Sequence, residues 1–187
     1  NGRAQPYAKF LSFDSPRCTS TQEGLAVLME IFSNSTYPQR ILKIADRVVG
    51  ISLAEEGQGP GEVYDYFLGR RYRRRESFQL TARVFRGTDF SPGGAFTKDV
   101  AYLKGLIECF NFIQFCLVKN HARCLPLLFA GKLHLREIPA LARMHESGLL
   151  KAPRWVPAPF QDVDALSSWF VCASAFGQMS DVDYHER

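Results

Sequence analysis

A single carboxylate opens the most suggestive stretch of this chain, Ser20-Thr21-Gln22-Glu23-Gly24-Leu25-Ala26, where an apolar period begins. A glutamate on the rigid first turn of a helix can ligate a metal or act as a catalytic carboxylate. The same spacing also has a structural reading, the capping box. There the Ser20 hydroxyl accepts from the Glu23 N–H, and the Glu23 side chain returns to the Ser20 N–H. The heptapeptide itself does not decide between the two. A second group flanks a Gly- and Pro-rich loop: Arg83 and Arg86 before it, Lys98 and Tyr102 after it. Arginine grips an anion bidentately and lysine as a point charge. The structural alternative is that Arg86 and Lys98 staple the loop to nearby carboxylates, with Tyr102 half-buried.

Other chemistries find less support. His134 and His145 are eleven residues apart. On one continuous helix that is about 16 Å, too far to share a metal. His145-Glu146 has no second histidine at i+4. His121, His134, His145 and His185 therefore read as surface or helix-end residues. The phosphate loop G-x-x-x-x-G-K-[ST] and the nucleophile elbow G-x-S-x-G are both missing.

Three blocks in order carry a resemblance. Gln22-Glu23-Gly24-Leu25-Ala26 is followed by Arg83-Val84-Phe85-Arg86-Gly87 and Phe96-Thr97-Lys98-Asp99-Val100-Ala101-Tyr102-Leu103-Lys104-Gly105, then by Pro126-Leu127-Leu128-Phe129-Ala130-Gly131-Lys132. The opening Asn1-Gly2-x-Ala4-Gln5-Pro6 adds to them. Across about residues 1 to 153 the chain resembles the QEGLA-motif family, which includes the microtubule-associated tyrosine carboxypeptidases. The resemblance implies a zinc peptidase: two histidines of an H-E-x-x-x-H helix plus the glutamate of the QEGLA segment, here Glu23, as metal ligands. Three protein ligands leave a position open, as hydrolysis requires. The chain departs from the pattern in having no H-E-x-x-x-H. The resemblance places that motif upstream of Asn1, and this chain alone is then expected to be inactive and to hold zinc poorly. A carboxypeptidase must also hold a terminal carboxylate. Arg83, Arg86 and Lys98 are the expected substrate-binding residues, and Tyr102 is the expected catalytic donor to the developing oxyanion. The partner would be a peptide or protein C-terminal tail.

With 187 residues the chain can bury a sizeable core. It starts with Asn rather than Met, which suggests a piece of a longer product. No basic-then-apolar leader is present, and no apolar run approaches the roughly 18 residues of a bilayer span. Cys18, Cys109, Cys116, Cys124 and Cys172 form no C-x-x-C pair, and Cys109 and Cys116 share a helix face about 10 Å apart. Free thiols in a reducing cytoplasm are expected. A net charge of +4 does not argue for nucleic acid.

The pattern of elements predicts a mostly α, multi-helix single domain, and the resemblance implies that it is the C-terminal part of a zincin-like helical peptidase domain. Residues 1–19 read as an extended arm with a turn at Asp14-Ser15-Pro16. A helix from Ser20 presents Leu25, Leu28, Met29 and Phe32 inward. Pro38 opens a second helix with the stripe Ile41, Ile44, Ala45, Val48 and Ser52. Val63, Tyr64, Phe67 and Leu68 mark a third, and Phe78, Ala82 and Phe85 a fourth. Thr97 caps a long fifth helix with the stripe Val100, Leu103, Ile107, Phe110, Ile113 and Leu117. A short helix ending at Gly131, one from near Glu137 to Ser147, and an amphipathic helix through Val163, Leu166, Phe170 and Ala173 follow. Residues 1–150 read as the catalytic-domain portion, and 151–187 as a Pro-rich segment, a helix and a fraying tail. A second reading makes the chain a non-catalytic helical module that docks an acidic partner on the connector from Gly69 to Glu76, which carries Arg70, Arg71, Arg73, Arg74 and Arg75.

Overall fold

Seven α-helices follow one another in the computed structural model, which describes residues 1–178 except Ser15, Pro16, Ser91 and Pro92. They are α1 (Cys18–Phe32), α2 (Pro38–Glu55), α3 (Pro60–Gly69), α4 (Arg74–Val84), α5 (Val100–Val118), α6 (Ile138–Glu146) and α7 (Val163–Gln178). Short 3-10 turns fill several connections, and there is no strand among the described residues. The expected mostly helical class is what the chain adopts. Contacts divide it into two compact units, Thr19–Cys109 and Asn1–Cys18 with the described residues from Phe110 onward.

The 19–109 unit is built around Ile51, Ala54, Val63, Phe67, Leu80, Val84 and Phe85. Proline at the first turns of α2 and α3 presets φ where no intrahelical N–H bond is lost. A pair of glycines sets how closely α1 meets α5. A Cβ on Gly24 would lie 2.1 Å from the Gly105 carbonyl carbon, and one on Gly105 1.9 Å from the Ser20 carbonyl oxygen. No other residue allows these backbones to touch.

In the other unit the first residues are anchored. The Asn1 side-chain amide donates to the Phe129 and Trp155 carbonyls, and its oxygen accepts from the Arg154 and Trp155 N–H groups. Gln5 bonds the backbone of Lys151 in both directions. The expected extended arm is instead two 3-10 turns, Gly2–Ala4 and Lys9–Ser12, with Ala8 and Leu11 fully buried. Side-chain hydrogen bonds to distant backbone anchor a stretch whose prolines suggest extended chain. Farther along, Phe110 packs on Phe170 at 4.7 Å between centroids. The expected turn at Ser15-Pro16, the fraying tail and His185 lie outside the described residues.

Several expected faces are rotated. In α2 the buried residues are Ile44, Asp46, Arg47, Gly50, Ile51 and Ala54, while Ser52 is exposed. Charges lie inside because other helices supply their partners, which no single-helix period reveals. In α4 Ser77, Leu80, Thr81 and Val84 face inward, whereas Phe78 and Ala82 are exposed. Thr81 hydrogen-bonds the Ser77 carbonyl at 2.9 Å, so its burial is cheap. In α5 the buried line runs through Gly105, Cys109, Ile113 and Cys116, and Ile107 is exposed. Thr97 does not cap α5; it starts a 3-10 turn, Thr97–Asp99, that leads into the helix. The stretch Thr97–Val118 meets the length and hydropathy of a bilayer span, against expectation. A protein-packed helix meets the same test, and here Gly105 lies on Gly24 and Glu108 accepts from Ser20 at 3.0 Å.

Five of the helix ends follow one scheme. After α1, α2, α5 and α6 the chain turns through a left-handed residue, respectively Asn34, Gly57, Asn120 and Gly148. Each makes the paired 6→1 and 5→2 bonds of a Schellman motif. After α3 the same motif forms with Arg71 at φ +67°, its N–H on the Leu68 carbonyl and the Tyr72 N–H on that of Phe67.

The glycine contact predicts opposite signs for two similar changes. Gly105→Ala is expected to destabilise by about 3 kcal/mol, because backbone must move. Gly69→Ala, whose new methyl meets nothing within 4 Å, is expected to stabilise by about 0.5–1 kcal/mol. Urea unfolding followed by circular dichroism measures both.

Candidate active site

The Ser20–Glu23 capping box does not form. Helix α1 starts at Cys18, so Ser20 is already inside it, and its hydroxyl donates to Glu108 on α5. Glu23 is half-buried, and its carboxylate has no hydrogen bond or ion pair among the described residues. Its structural employment is thus gone. Its position is set by Gly24, held against Gly105, one turn along α5 from Tyr102.

The second group is organised by a residue that reasoning from sequence overlooked. Asp99, 3% exposed, accepts from Arg83 through Nη2 at 3.0 Å and through a shorter Nε bond, and from Arg47 Nη1 at 3.0 Å. Burial alone would push the Asp99 carboxyl up. The Arg83 hydrogen bonds and the Arg47 charge outweigh it and hold the carboxyl below its ordinary range. Burial lowers Arg47, against the pull of Asp99, while the bond to Asp99 raises Arg83. The Arg47 guanidinium lies 5.8 Å from the centre of the Tyr102 ring. Asp99 therefore ties α2 and α4 to the start of α5, and through Arg47 it touches the ring of Tyr102.

The staple is thus Arg83 with Asp99, and neither Arg86 nor Lys98 takes part. Arg86 is exposed and stacks 4.1 Å over the Phe96 ring. Lys98 is exposed on the 3-10 turn. Neither makes a hydrogen bond or ion pair with a carboxylate among the described residues, although the Arg86 charge helps hold Asp99 low. Tyr102 is half-buried, and its hydroxyl has no hydrogen-bond partner among the described residues. Arg86 borders a groove of about 530 Å³ lined by Phe78, Phe85, Phe90 and Thr88. Arg83, Asp99, Arg47 and Tyr102 form one connected group, and no hydrogen bond or ion pair links it to Glu23.

A second buried anion was also missed. Asp46 accepts from Tyr72 at 2.7 Å, Arg70 at 2.9 Å and Tyr66 at 3.2 Å. Burial and the bond to Asp46 push the Tyr72 hydroxyl well up, and burial and the Asp46 charge raise Tyr66. The available signal was Asp46-Arg47 inside an apolar helical stripe, where charge without a partner is too costly to bury.

The histidines are occupied locally. His134 accepts from the Arg136 N–H in a capping box with Glu137, His145 Nδ1 meets the Leu150 carbonyl at 2.9 Å, and His121 stacks on Phe115. Among the described residues no three His, Cys, Asp or Glu side chains converge as a metal site. Glu23 alone falls two short of the three protein ligands of a catalytic zinc. No disulfide joins the five cysteines, all of them described residues, and burial raises Cys109 to about 12 and Cys116 to about 11. Such thiols are poor nucleophiles.

A family model described as microtubule-associated tyrosine carboxypeptidase matches residues 1–178. The match spans most of the chain, which therefore belongs to that carboxypeptidase family. No curated protein and no solved structure matches it significantly.

The Asp99 cluster predicts a specific acid sensitivity. A carboxyl held low in the folded state contributes stability that is complete above the ordinary value near 3.8 and is lost as pH falls through the folded value. Asp99→Ala is expected to cost about 3–5 kcal/mol at neutral pH by stranding the buried Arg47. The same change should flatten the fall in stability below pH about 4. Urea midpoints measured across pH test both.

Proposed function

We propose that this chain carries the substrate-facing part of a zinc carboxypeptidase that releases the last residue of a peptide or protein tail. The family's name points to tyrosine as that residue. The observation that carries the reading is Arg86. Its guanidinium makes no hydrogen bond or ion pair with a carboxylate among the described residues, feeling Asp99 only at longer range, and it borders an apolar groove with room for an aromatic side chain. A terminal carboxylate on Arg86, supplemented by Lys98, would leave the adjoining side chain to the groove. Tyr102 is the expected donor to the developing oxyanion. Arg83, already engaged by Asp99, contributes the exposed remainder of its fork and holds the loop.

Glu23 is the chain's expected metal ligand. The two histidines and the general base belong, in this reading, to an H-E-x-x-x-H helix upstream of Asn1. Buried thiols outside any disulfide fit a reducing, cytoplasmic setting.

The test compares this chain alone with a polypeptide that includes the upstream segment, measuring release of C-terminal residues by mass spectrometry. The chain alone should be inactive, and the longer polypeptide active. In the longer form Arg86→Ala should raise KM about tenfold or more, and Tyr102→Phe should lower kcat by about 10²–10³. Wild-type rates in both variants would remove the assigned pocket. Stoichiometric, tight zinc on this chain alone would contradict the role given to Glu23.

A further inference from the structure

One cation of the Asp99 cluster is in excess of what Asp99 needs. Arg83 already gives a hydrogen bond to each oxygen of that carboxylate. Arg47 is buried nonetheless, with Nη1 on Asp99 at 3.0 Å and Nε without a hydrogen-bond partner among the described residues. A buried N–H left unpaired is costly, and each one calls for an account. Balancing Asp99 does not supply it. What Arg47 also reaches is Tyr102, whose ring centre lies 5.8 Å from the guanidinium, within cation–π range. That ring has little else to orient it at its polar end, because the Tyr102 hydroxyl makes no hydrogen bond among the described residues. The surroundings carry surplus positive charge. Arg40 and Arg47 are seven apart and share a face of α2, and their charges and that of Arg83 all bear on Tyr102. Two carboxylates, Glu30 and Asp99, answer these three cations. All of these residues lie within the 19–109 unit.

We infer that Arg47 is a positioning residue for the reaction: its guanidinium seats the Tyr102 ring so that the unbonded hydroxyl is already in place when the oxyanion develops. The inference rests on the role given to Tyr102 above and goes beyond it by naming what holds the donor. A donor aimed at developing charge is effective when it need not reorganise. Arg47 touches no substrate and acts through Tyr102. Asp99 in turn fixes Arg47 by its Nη1 edge, so one carboxylate holds Arg83 at the loop and Arg47 at the ring. Arginine suits position 47 for a geometric reason. A planar guanidinium can give an edge to a carboxylate while lying against an aromatic ring, whereas an ammonium is a point charge.

Arg47→Lys, Tyr102→Phe and the double variant test this in the longer polypeptide, with kcat counted per folded molecule. Arg47→Lys keeps a cation for Asp99 and loses the plane. It should lower kcat about tenfold or more and change KM less than about twofold. In the Tyr102→Phe background the same change should alter kcat less than about twofold, because the hydroxyl to be placed is gone. Asp46→Asn breaks the other buried carboxylate cluster of the unit, and should lower Tm while leaving kcat alone. A readout without turnover uses this chain with ring-13C-labelled tyrosine. The Tyr102 resonance, assigned by its loss in Tyr102→Phe, should shift in Arg47→Lys and also in Arg47→Met, which removes the cation. Four results would each overturn the inference: wild-type kcat in Arg47→Lys, an equal loss of kcat with and without the Tyr102 hydroxyl, a matching loss of kcat in Asp46→Asn, or an unmoved Tyr102 resonance in both Arg47 variants. Wild-type kcat in Tyr102→Phe alone would remove the oxyanion role itself, and the inference with it.

Discussion

A carboxylate removed from water must be met by cations or it will not stay charged. Asp99 imposes that constraint on the 19–109 unit. Its two oxygens receive Arg47 from α2 and Arg83 from α4, so three separate segments converge on one residue. Apolar burial by Phe67, Ile51 and Val84 supplies the drive to collapse, but it is non-directional. The ion cluster supplies direction: α2 and α4 must meet the start of α5 in the register that satisfies Asp99. The residues around the loop inherit their places from this arrangement. Arg83 is engaged, Arg47 lies over Tyr102, and Arg86 and Lys98 are left with charge to offer.

A second constraint acts through the absence of side chains. Gly24 and Gly105 let α1 and α5 touch backbone to backbone, which places the carboxylate-bearing turn against the helix that carries Tyr102. The glycine of the QEGLA segment is thus explained by packing, and the glutamate beside it is not. Ser20, the residue that would have engaged Glu23 in a cap, bonds Glu108 instead. Glu23 is left as a half-buried carboxylate with no hydrogen bond or ion pair among the described residues, on a rigidly seated turn. The same economy is visible at Asp46, which spends its oxygens on Tyr66, Tyr72 and Arg70 and has none to offer.

Helix existence was legible in the sequence because Pro38, Pro60, Gly57 and Gly148 punctuate it locally. Helix faces were less so. The stripes of α2 and α4 were displaced because Asp46, Arg47, Ser77 and Thr81 are buried with partners that lie on other elements or on the backbone, and hydrophobic periodicity is blind to both. The stripe of α5 was misjudged because its contact residue is Gly105, which has no hydrophobicity to register. The first residues read as extended because the side-chain bonds of Asn1 and Gln5 that anchor them reach residues about 150 positions away. Of the site, the residue types at Glu23, Arg86, Lys98 and Tyr102 were readable from motif blocks. Their organiser was printed in the same block, at Asp99, yet its burial depends on Arg47, a residue outside every block.

In the proposed reading Glu23 faces a metal held jointly with histidines of a longer polypeptide. The zinc affinity of that longer polypeptide, measured by competition with a chromophoric chelator, tests this with Glu23 replaced by alanine. If Glu23 is a ligand, the affinity falls about tenfold or more. An unchanged affinity would show that the metal is held elsewhere.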